Sequence, residues 1–323
     1  MNDFSKRVLK TIDKYNMIKE GCSVIAAVSG GFDSVCMFHV LHSLTRIRKF
    51  SLHVAHVNHS FRTDSDDDEN YVIDLCKKFN VKAYIKKADV AGFAKKNKIS
   101  FETAGREVRY SFFNELLQQI PGSVVATAHN ANDNAESFIM HLLRGSGLSG
   151  LTGIKAVRGR IIRPLIEQTR ERIEQYCKEN NLSPRTDYTN FCDDYTRNDI
   201  RHNVMPPIAE RGGVDAIVRT ARLLSDDEEF LRDYTIQAGK KYITSENNKV
   251  IIDIKEFTTL PAAIKRRLIR LALENSQKEI SLVHIDSIIT AADKNYGGKR
   301  IVLPGEITAT VSRGKLIIYK TNT

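Results

Sequence analysis

The sequence predicts an α/β protein: a doubly wound parallel sheet in residues 1–213, followed by a smaller α+β C-terminal domain in residues 214–323. Three observations lead there. At 323 residues the chain exceeds what one hydrophobic core comfortably organises, so two domains are expected. Between Cys22 and Leu165, short runs rich in Val, Ile and Ala alternate with helical patterns, which is how a parallel sheet with helical crossovers reads. From Val214 that alternation gives way to a long amphipathic stretch and then to short strand candidates separated by turns.

Taken in order, the first strand is placed at Cys22–Val28, followed by a helix whose Val35, Phe38, Leu41 and Leu44 form one apolar face suited to packing on a sheet. Further strands are expected at Ser51–Val57, Val81–Ala88, Ser123–Ala128 and Ile161–Ile166. The acidic run Asp64, Asp66, Asp67, Asp68 and Glu69 reads as a helix start by charge, with no chemistry assigned. A helical connector carries Ile217, Ala221, Leu224, Phe230, Leu231 and Tyr234. Beyond it come a strand at Val250–Ile254, a basic helix at Ala262–Glu274 and a helix at Val283–Ala292. The closing strands are Arg300–Leu303, Ile307–Val311 and Leu316–Tyr319, with turns at Pro304-Gly305 and Arg313-Gly314.

Composition narrows the class of protein. A hydrophobic fraction of 41% and a charged fraction of 27% are ordinary for a soluble chain, and no apolar run approaches the roughly 20 residues needed to cross a bilayer. The N-terminal Met1-Asn2-Asp3-Phe4-Ser5-Lys6 lacks the pattern of a secretory signal, so a cytoplasmic protein with no membrane partner is expected. Five scattered cysteines, Cys22, Cys36, Cys76, Cys177 and Cys192, include no Cys-x-x-Cys. They read as reduced structural thiols, against a disulfide frame, a zinc ribbon or an iron–sulfur site. The net charge of +10 suggests an anionic partner, nucleic acid among the candidates, although a basic balance also serves solubility.

The sharpest local signal is Ser29-Gly30-Gly31-Phe32-Asp33-Ser34, which follows an apolar strand and opens a helix. Backbone N–H groups and the helix dipole converge there on an anion, the glycine pair lets phosphate approach, and the hydroxyls of Ser29 and Ser34 are further donors. No Gly-Lys-Ser/Thr follows, so this is not a Walker loop. Asp33 is either a magnesium ligand, since a hard cation on phosphate oxygens wants carboxylate, or a first-turn acid complementing the dipole.

A second cluster, Thr127-Ala128-His129-Asn130-Ala131-Asn132-Asp133-Asn134-Ala135-Glu136, lies at the end of another strand candidate, where α/β sheets place ligands. Asp133 and Glu136, three apart on a helix, share a face; they either hold a substrate ammonium and later take its proton, or form a solvated acidic turn. His129 sits at the strand tip as an active-site contact or a structural histidine. The stretch Lys265-Arg266-Arg267-Leu268-Ile269-Arg270 mixes charge and apolar residues at helical spacing, giving either a phosphate-binding face or a solvated one.

The glycine loop resembles that of the ATP pyrophosphatase-type nucleotide-binding family, in which the loop grips the β and γ phosphates and leaves the α-phosphorus open to attack. Further motifs are His56-Val57-Asn58-His59-Ser60-Phe61-Arg62, Glu102-Thr103-Ala104-Gly105-Arg106-Glu107-Val108-Arg109-Tyr110, Arg144-Gly145-Ser146-Gly147-Leu148-Ser149-Gly150-Leu151 and Arg163-Pro164-Leu165. Asp187-Tyr188-Thr189-Asn190 and Arg197-Asn198-Asp199-Ile200-Arg201 follow. In this order the set is similar to the tRNA(Ile)-lysidine synthases over nearly all of residues 20–210, and Gly298-Lys299-Arg300-Ile301-Val302-Leu303-Pro304-Gly305 is similar to their first C-terminal domain. Asn130 stands where a second histidine is frequent in that family, and Gly105 where alanine is usual.

The resemblance implies ligation of lysine to C2 of the first-anticodon-position cytidine of a tRNA(Ile) with a CAU anticodon. ATP and Mg2+ would be consumed and bound, free L-lysine would be cosubstrate, and the tRNA would first be adenylated. It implies Ser29, Gly30, Gly31, Phe32, Asp33, Ser34 and Asn58 as nucleotide contacts, with Arg197 and Arg201 contacting AMP or the anticodon backbone unless they pair with surface acids. Asp33, Arg106, Arg109, His129, Asp133 and Glu136 are the implied catalytic residues, the two helical arginines as stabilisers of phosphate charge. Residues 214–323 would form the connector and a tRNA-binding domain, and a homodimer is left open. A tRNA thiolase of the same loop family would ordinarily need paired cysteines, and a non-catalytic RNA-binding module would leave Asp133, Glu136 and the arginines without a role.

Overall fold

A computed structural model describes residues 1–59, 65–185, 195–247, 249–274 and 280–321. Ser60, Phe61, Arg62, Asp64, Cys192 and the Asp187–Asn190 motif lie outside the described residues. The chain forms two compact units, Met1–Leu224 and Ser225–Thr323.

In the first unit the strands are β1 (Ser23–Ala27), β2 (Ser51–Asn58), β3 (Lys82–Lys87), β4 (Val124–Ala126), β5 (Val157–Arg158) and β6 (Ile161–Ile162). The helices are α1 (Asp3–Lys14), α2 (Phe32–Thr45), α3 (Ser65–Lys78), α4 (Val90–Asn97), α5 (Phe101–Gln119), α6 (Ala131–Leu143) and α7 (Arg170–Glu179). Among the described residues the sheet runs β3-β2-β1-β4-β6-β5, parallel throughout except for the β5–β6 hairpin. The expected strand Ile161–Ile166 stops at Ile162 because Pro164 has no N–H for a ladder; the chain instead turns, with Ile166 N–H on Arg163 O and Gln168 N–H on Leu165 O.

Helices cover both faces of the sheet, so its central strands are apolar on both sides. Val24, Ala26 and Val54 pack with Phe38, Leu41 and Ile173 in one core, while Ile25, Ala55 and Val125 meet Phe112, Phe113 and Leu116 of α5 in the other. The single apolar face expected for α2 is exceeded: Ser34, Val35, Cys36, Met37, Phe38, Val40, Leu41 and Leu44 are all buried. The reason is that α2 is flanked by α1 and α7 as well as by the sheet.

After α8 (Tyr195–Asp199), a π-helical turn over Ile200–Val204 and α9 (Met205–Ala209), the long helix α10 (Gly213–Tyr242) begins. The compact units divide within α10. The second unit adds β7 (Ile243–Glu246), β8 (Lys249–Asp253), α11 (Ile254–Thr258), α12 (Ala262–Ala272), α13 (Leu282–Asp293), β9 (Arg300–Leu303), β10 (Ile307–Ser312) and β11 (Lys315–Lys320). Its antiparallel sheet has the order β7-β8-β11-β10-β9 and buries Ile252, Ala309, Val311, Leu316 and Ile318 against Leu268, Ile269, Ile285 and Ile288. The strand read as Val250–Ile254 ends at Asp253 because that carboxylate accepts from Lys255 N–H and caps α11.

Candidate active site

The glycine loop lies between β1 and α2. Gly30 has φ +101°, a conformation that L side chains rarely adopt, and its carbonyl accepts from Arg185 N–H at 3.0 Å. Gly31 is the N-cap of α2 and no side chain caps that end, so the first-turn N–H groups point outward for an anion. Ser34 Oγ accepts from Ser29 N–H at 3.2 Å and donates to Gly31 O at 2.9 Å. Ser34 therefore shapes the loop, while Ser29 and Phe32 are exposed.

Asp33 faces the first turn of α6, where Asn130 Nδ2 donates to its Oδ1 at 3.1 Å. Burial raises its carboxyl to about 6, helped by the charge of Asp133 and opposed by Arg170, by the Asn130 bond and by Arg201. At the start of α6, Asn130 Oδ1 accepts from Asp133 N–H and Asp133 Oδ2 accepts from Asn130 N–H, both at 3.0 Å, which closes a capping box.

The carboxylates expected to share a face do so, and the structure fills their surroundings with guanidinium groups. Arg201 grips Glu136 with two bonds, Nε to Oε1 at 2.8 Å and one terminal nitrogen to Oε2 at 2.9 Å. Arg197 Nε adds 3.2 Å to Oε2, and both arginines stand 3.5 Å from Asp133 Oδ1. Glu136 is 2% exposed and Asp133 14%, so Asp133 is the more accessible of the two. Arg201 stays firmly protonated: burial opposes its charge, but the Glu136 bond and the charges of Glu136, Asp133 and Asp33 outweigh it.

His129 Nδ1 bonds Thr127 Oγ1 at 3.0 Å. Desolvation pushes the imidazole down to about 4; Asp133 pulls it up, and Arg163, Arg197 and Arg106 push it down. It is neutral near pH 7. Arg106 and Arg109 are exposed on α5, with the Arg106 guanidinium 4.7 Å over the Tyr110 ring. Gly105 on that helix leaves ordinary space for a methyl, His59 Cε1 being 3.5 Å from its position. Asn58, 2% exposed at the end of β2, donates to Asp66 Oδ1 at 3.0 Å and Glu69 Oε2 at 2.8 Å, so it ties β2 to α3. The acidic run thus has structural work: Asp68 also pairs with Arg185 at 2.9 Å, whose backbone touches the loop.

Sequence reasoning singled out no part for Asn130 in linking the two halves, nor for Arg170 beside Asp33 or Arg163 beside His129. The Arg163-Pro164-Leu165 motif was a signal, and Arg163 is 4% exposed with one terminal nitrogen donating to Lys155 O. Asn134 was another: its Oδ1 accepts from Ile154 N–H at 2.7 Å and pins the glycine-rich 144–153 segment to α6. Among the described residues no three His, Cys, Asp or Glu groups form a metal cage. One partly buried carboxylate beside an uncapped helix start fits a cation shared with phosphate oxygens, which needs few protein ligands.

Compared with known proteins, residues 2–208 match the PP-loop domain family. The chain is 41% identical over 319 residues to a tRNA(Ile)-lysidine synthase of Clostridium acetobutylicum, covering 96% of this chain and 69% of that protein. It is 38% identical to the protein of the same name from Caldanaerobacter subterraneus subsp. tengcongensis, covering 98% and 69%. Among solved structures, the U34-tRNA thiolase NcsA from Methanococcus maripaludis, with its [4Fe-4S] cluster, superposes with a TM-score of 0.57 at 19% identity. That match covers 68% of this chain and 77% of the thiolase, and it speaks for the fold.

Proposed function

The chain belongs to the PP-loop family and, within it, to the tRNA(Ile)-lysidine synthases, and from that premise we propose how its residues divide the work. The enzyme is an ATP-using ligase that modifies tRNA to form lysidine. The chemical problem is the C2 carbonyl oxygen of cytosine, a poor leaving group. It attacks the α-phosphorus of ATP, expelling pyrophosphate, and the ε-amine of free L-lysine then attacks C2, loses a proton and expels AMP. The acceptor is the first-anticodon-position cytidine of a tRNA(Ile) with a CAU anticodon, and the reaction takes place in the cytoplasm. Holding base, ATP and amine together contributes on the order of 7–11 kcal/mol by turning encounters into aligned steps.

Ser29, Gly30, Gly31, Phe32 and Ser34 present the loop and the start of α2 to the β and γ phosphates. Asp33 is the residue that would hold a magnesium ion, which when bound would supply positive charge against the phosphates. Arg106 and Arg109 reach from the exposed side of α5 to stabilise phosphate charge as it builds, and Asn58 fixes the end of β2 beneath the nucleotide. Asp133 receives the lysine amine and takes its proton; Glu136 anchors Arg197 and Arg201, which meet AMP or the anticodon backbone. Neutral His129 accepts or donates a hydrogen bond at the strand tip without adding charge.

The observation that supports this reading best is the continuous chain of contacts from Asp33 through Asn130 and Asp133 to Arg197, Arg201 and Glu136, joining an anion-binding loop to an amine-binding carboxylate. The test is incubation of purified protein with a CAU-anticodon tRNA(Ile), ATP and labelled lysine. Labelled tRNA with AMP and pyrophosphate is expected; release of ADP would overturn the adenylation route.

A further inference from the structure

Asn130 has no exposed surface and commits both ends of its amide to different halves of the site. Its Oδ1 takes the Asp133 N–H at 3.0 Å and its Nδ2 gives to Asp33 Oδ1 at 3.1 Å. Chemistry fixes which way the amide lies: a backbone N–H offers only a donor and an ionised carboxylate only acceptors, so a flipped amide would set like against like at both ends. Two neighbours make comparable ties. Asn132 Oδ1 accepts from Arg170 N–H at the start of α7, at 3.0 Å, and Asn134 Oδ1 accepts from Ile154 N–H. Three asparagines, each two residues from the next, thus bind the first turn of α6 to three separate segments. Only Asn130 reaches a group that the reaction uses.

We propose that Asn130 is a positioning residue for adenylation: its amide holds the Asp33 carboxylate at a fixed place relative to the first turn of α6, registering the ATP half of the site with the amine half. The inference rests on the reading of Asp33 as the carboxylate that meets the metal-bound phosphates. Capping and bridging are separable by substitution. Ser and Asp cap a helix about as well as Asn. Ser, however, is too short to bridge to Asp33, and Asp turns a second carboxylate toward it.

The experiment uses the full chain with Asn130→Ser, Asn130→Asp, Asp33→Asn and the Asp33→Asn/Asn130→Ser double variant. It measures melting temperature, the affinity for Mg·ATP by titration calorimetry without tRNA, and kcat and lysine KM for AMP release. Asn130→Ser should melt within a few degrees of the parent, because the cap survives, whereas Asn130→Asp buries a carboxylate beside Asp33 and should melt lower. Their Mg·ATP affinity should fall on the order of ten-fold, as expected for a lost bond to a charged group. In Asn130→Ser, kcat should fall with lysine KM unchanged, and in the double variant the serine should cost no further affinity beyond Asp33→Asn. Parent-like affinity and kcat in Asn130→Ser beside an impaired Asp33→Asn would reduce Asn130 to a helix cap and overturn the inference alone. Additive losses in the double variant would overturn it too. An unimpaired Asp33→Asn would remove the metal reading of Asp33 and the inference with it.

Discussion

Burial drives Asp33 and His129 in opposite directions, and the two shifts give opposite pH dependence. Asp33 is raised to about 6 from an ordinary 3.8, so between those values the folded protein keeps a proton that the unfolded chain has released, and its contribution to stability falls as pH rises. His129 is lowered from 6.5 to about 4, so its contribution is complete above 6.5 and is lost as pH falls toward 4. In the parent protein the slopes partly cancel. His129→Gln removes the acid-side loss, and its stability relative to the parent should improve by about 1–2 kcal/mol between pH 7 and pH 4.5, allowing for the solvent that still reaches the ring. Thermal melts at the two values measure this, and an unchanged difference would mean that the imidazole titrates normally. Asp33→Asn keeps the oxygen that accepts from Asn130 and removes a half-buried charge, so at pH 7.5 it should melt higher than the parent while releasing no AMP. A lower melting temperature would show that the carboxylate stabilises the fold.

Individual elements were legible where the signal is local. The loop before α2 and the first turn of α6 follow from a strand, a glycine pair or an N-cap, and a helix, all within about ten residues of chain. What joins them was not legible, because the partners are far apart in sequence: Asn130 and Asp33 by 97 positions, Arg201 and Glu136 by 65. Of the two-residue strands, β6 was legible as the start of the Ile161–Ile166 run, while β5 escaped periodicity, being shorter than one repeat of alternation can establish. The segment after α6 shows both limits, since its glycines announce turns but not what they accommodate. Gly153 has φ +66°, and a Cβ there would lie within reach of a clash with Asn134 Oδ1, the atom that holds Ile154 N–H. Gly153→Ala should therefore cost about 2 kcal/mol, combining backbone strain with a displaced hydrogen bond, and lower the melting temperature by about 4–8 °C. In an Asn134→Ala background the same substitution should cost less, because the clashing atom is gone. Equal costs in both backgrounds would leave the left-handed backbone as the whole explanation.

For the molecule as a whole, the change in texture near Val214 is visible in the sequence, while the compact units divide at Leu224, inside α10, where no nearby proline or glycine marks a break. The net charge of +10 was legible too, yet its use depends on which cations the fold already neutralises. In α12 the stretch read as either a phosphate-binding or a solvated face is largely paired within its own unit. Lys265 is 8% exposed and 2.7 Å from Asp293, Arg267 meets Glu228 at 2.5 and 2.9 Å, and Arg266 stands 3.5 Å from Asp286. Arg270 is exposed. A cation already paired with a carboxylate displaces few counterions from a phosphate, whereas an exposed one does so fully. Arg270→Ala is accordingly expected to weaken tRNA binding and to reduce the slope of log K against log salt by about one, with the melting temperature unchanged. Lys265→Ala should do the reverse, because its ammonium lies over the Phe257 ring and holds Asp293: melting falls by the equivalent of about 1–2 kcal/mol while the salt slope stays. Binding measured across a salt series for both variants separates the two roles, and an unchanged slope for Arg270→Ala would remove α12 from the tRNA-binding surface.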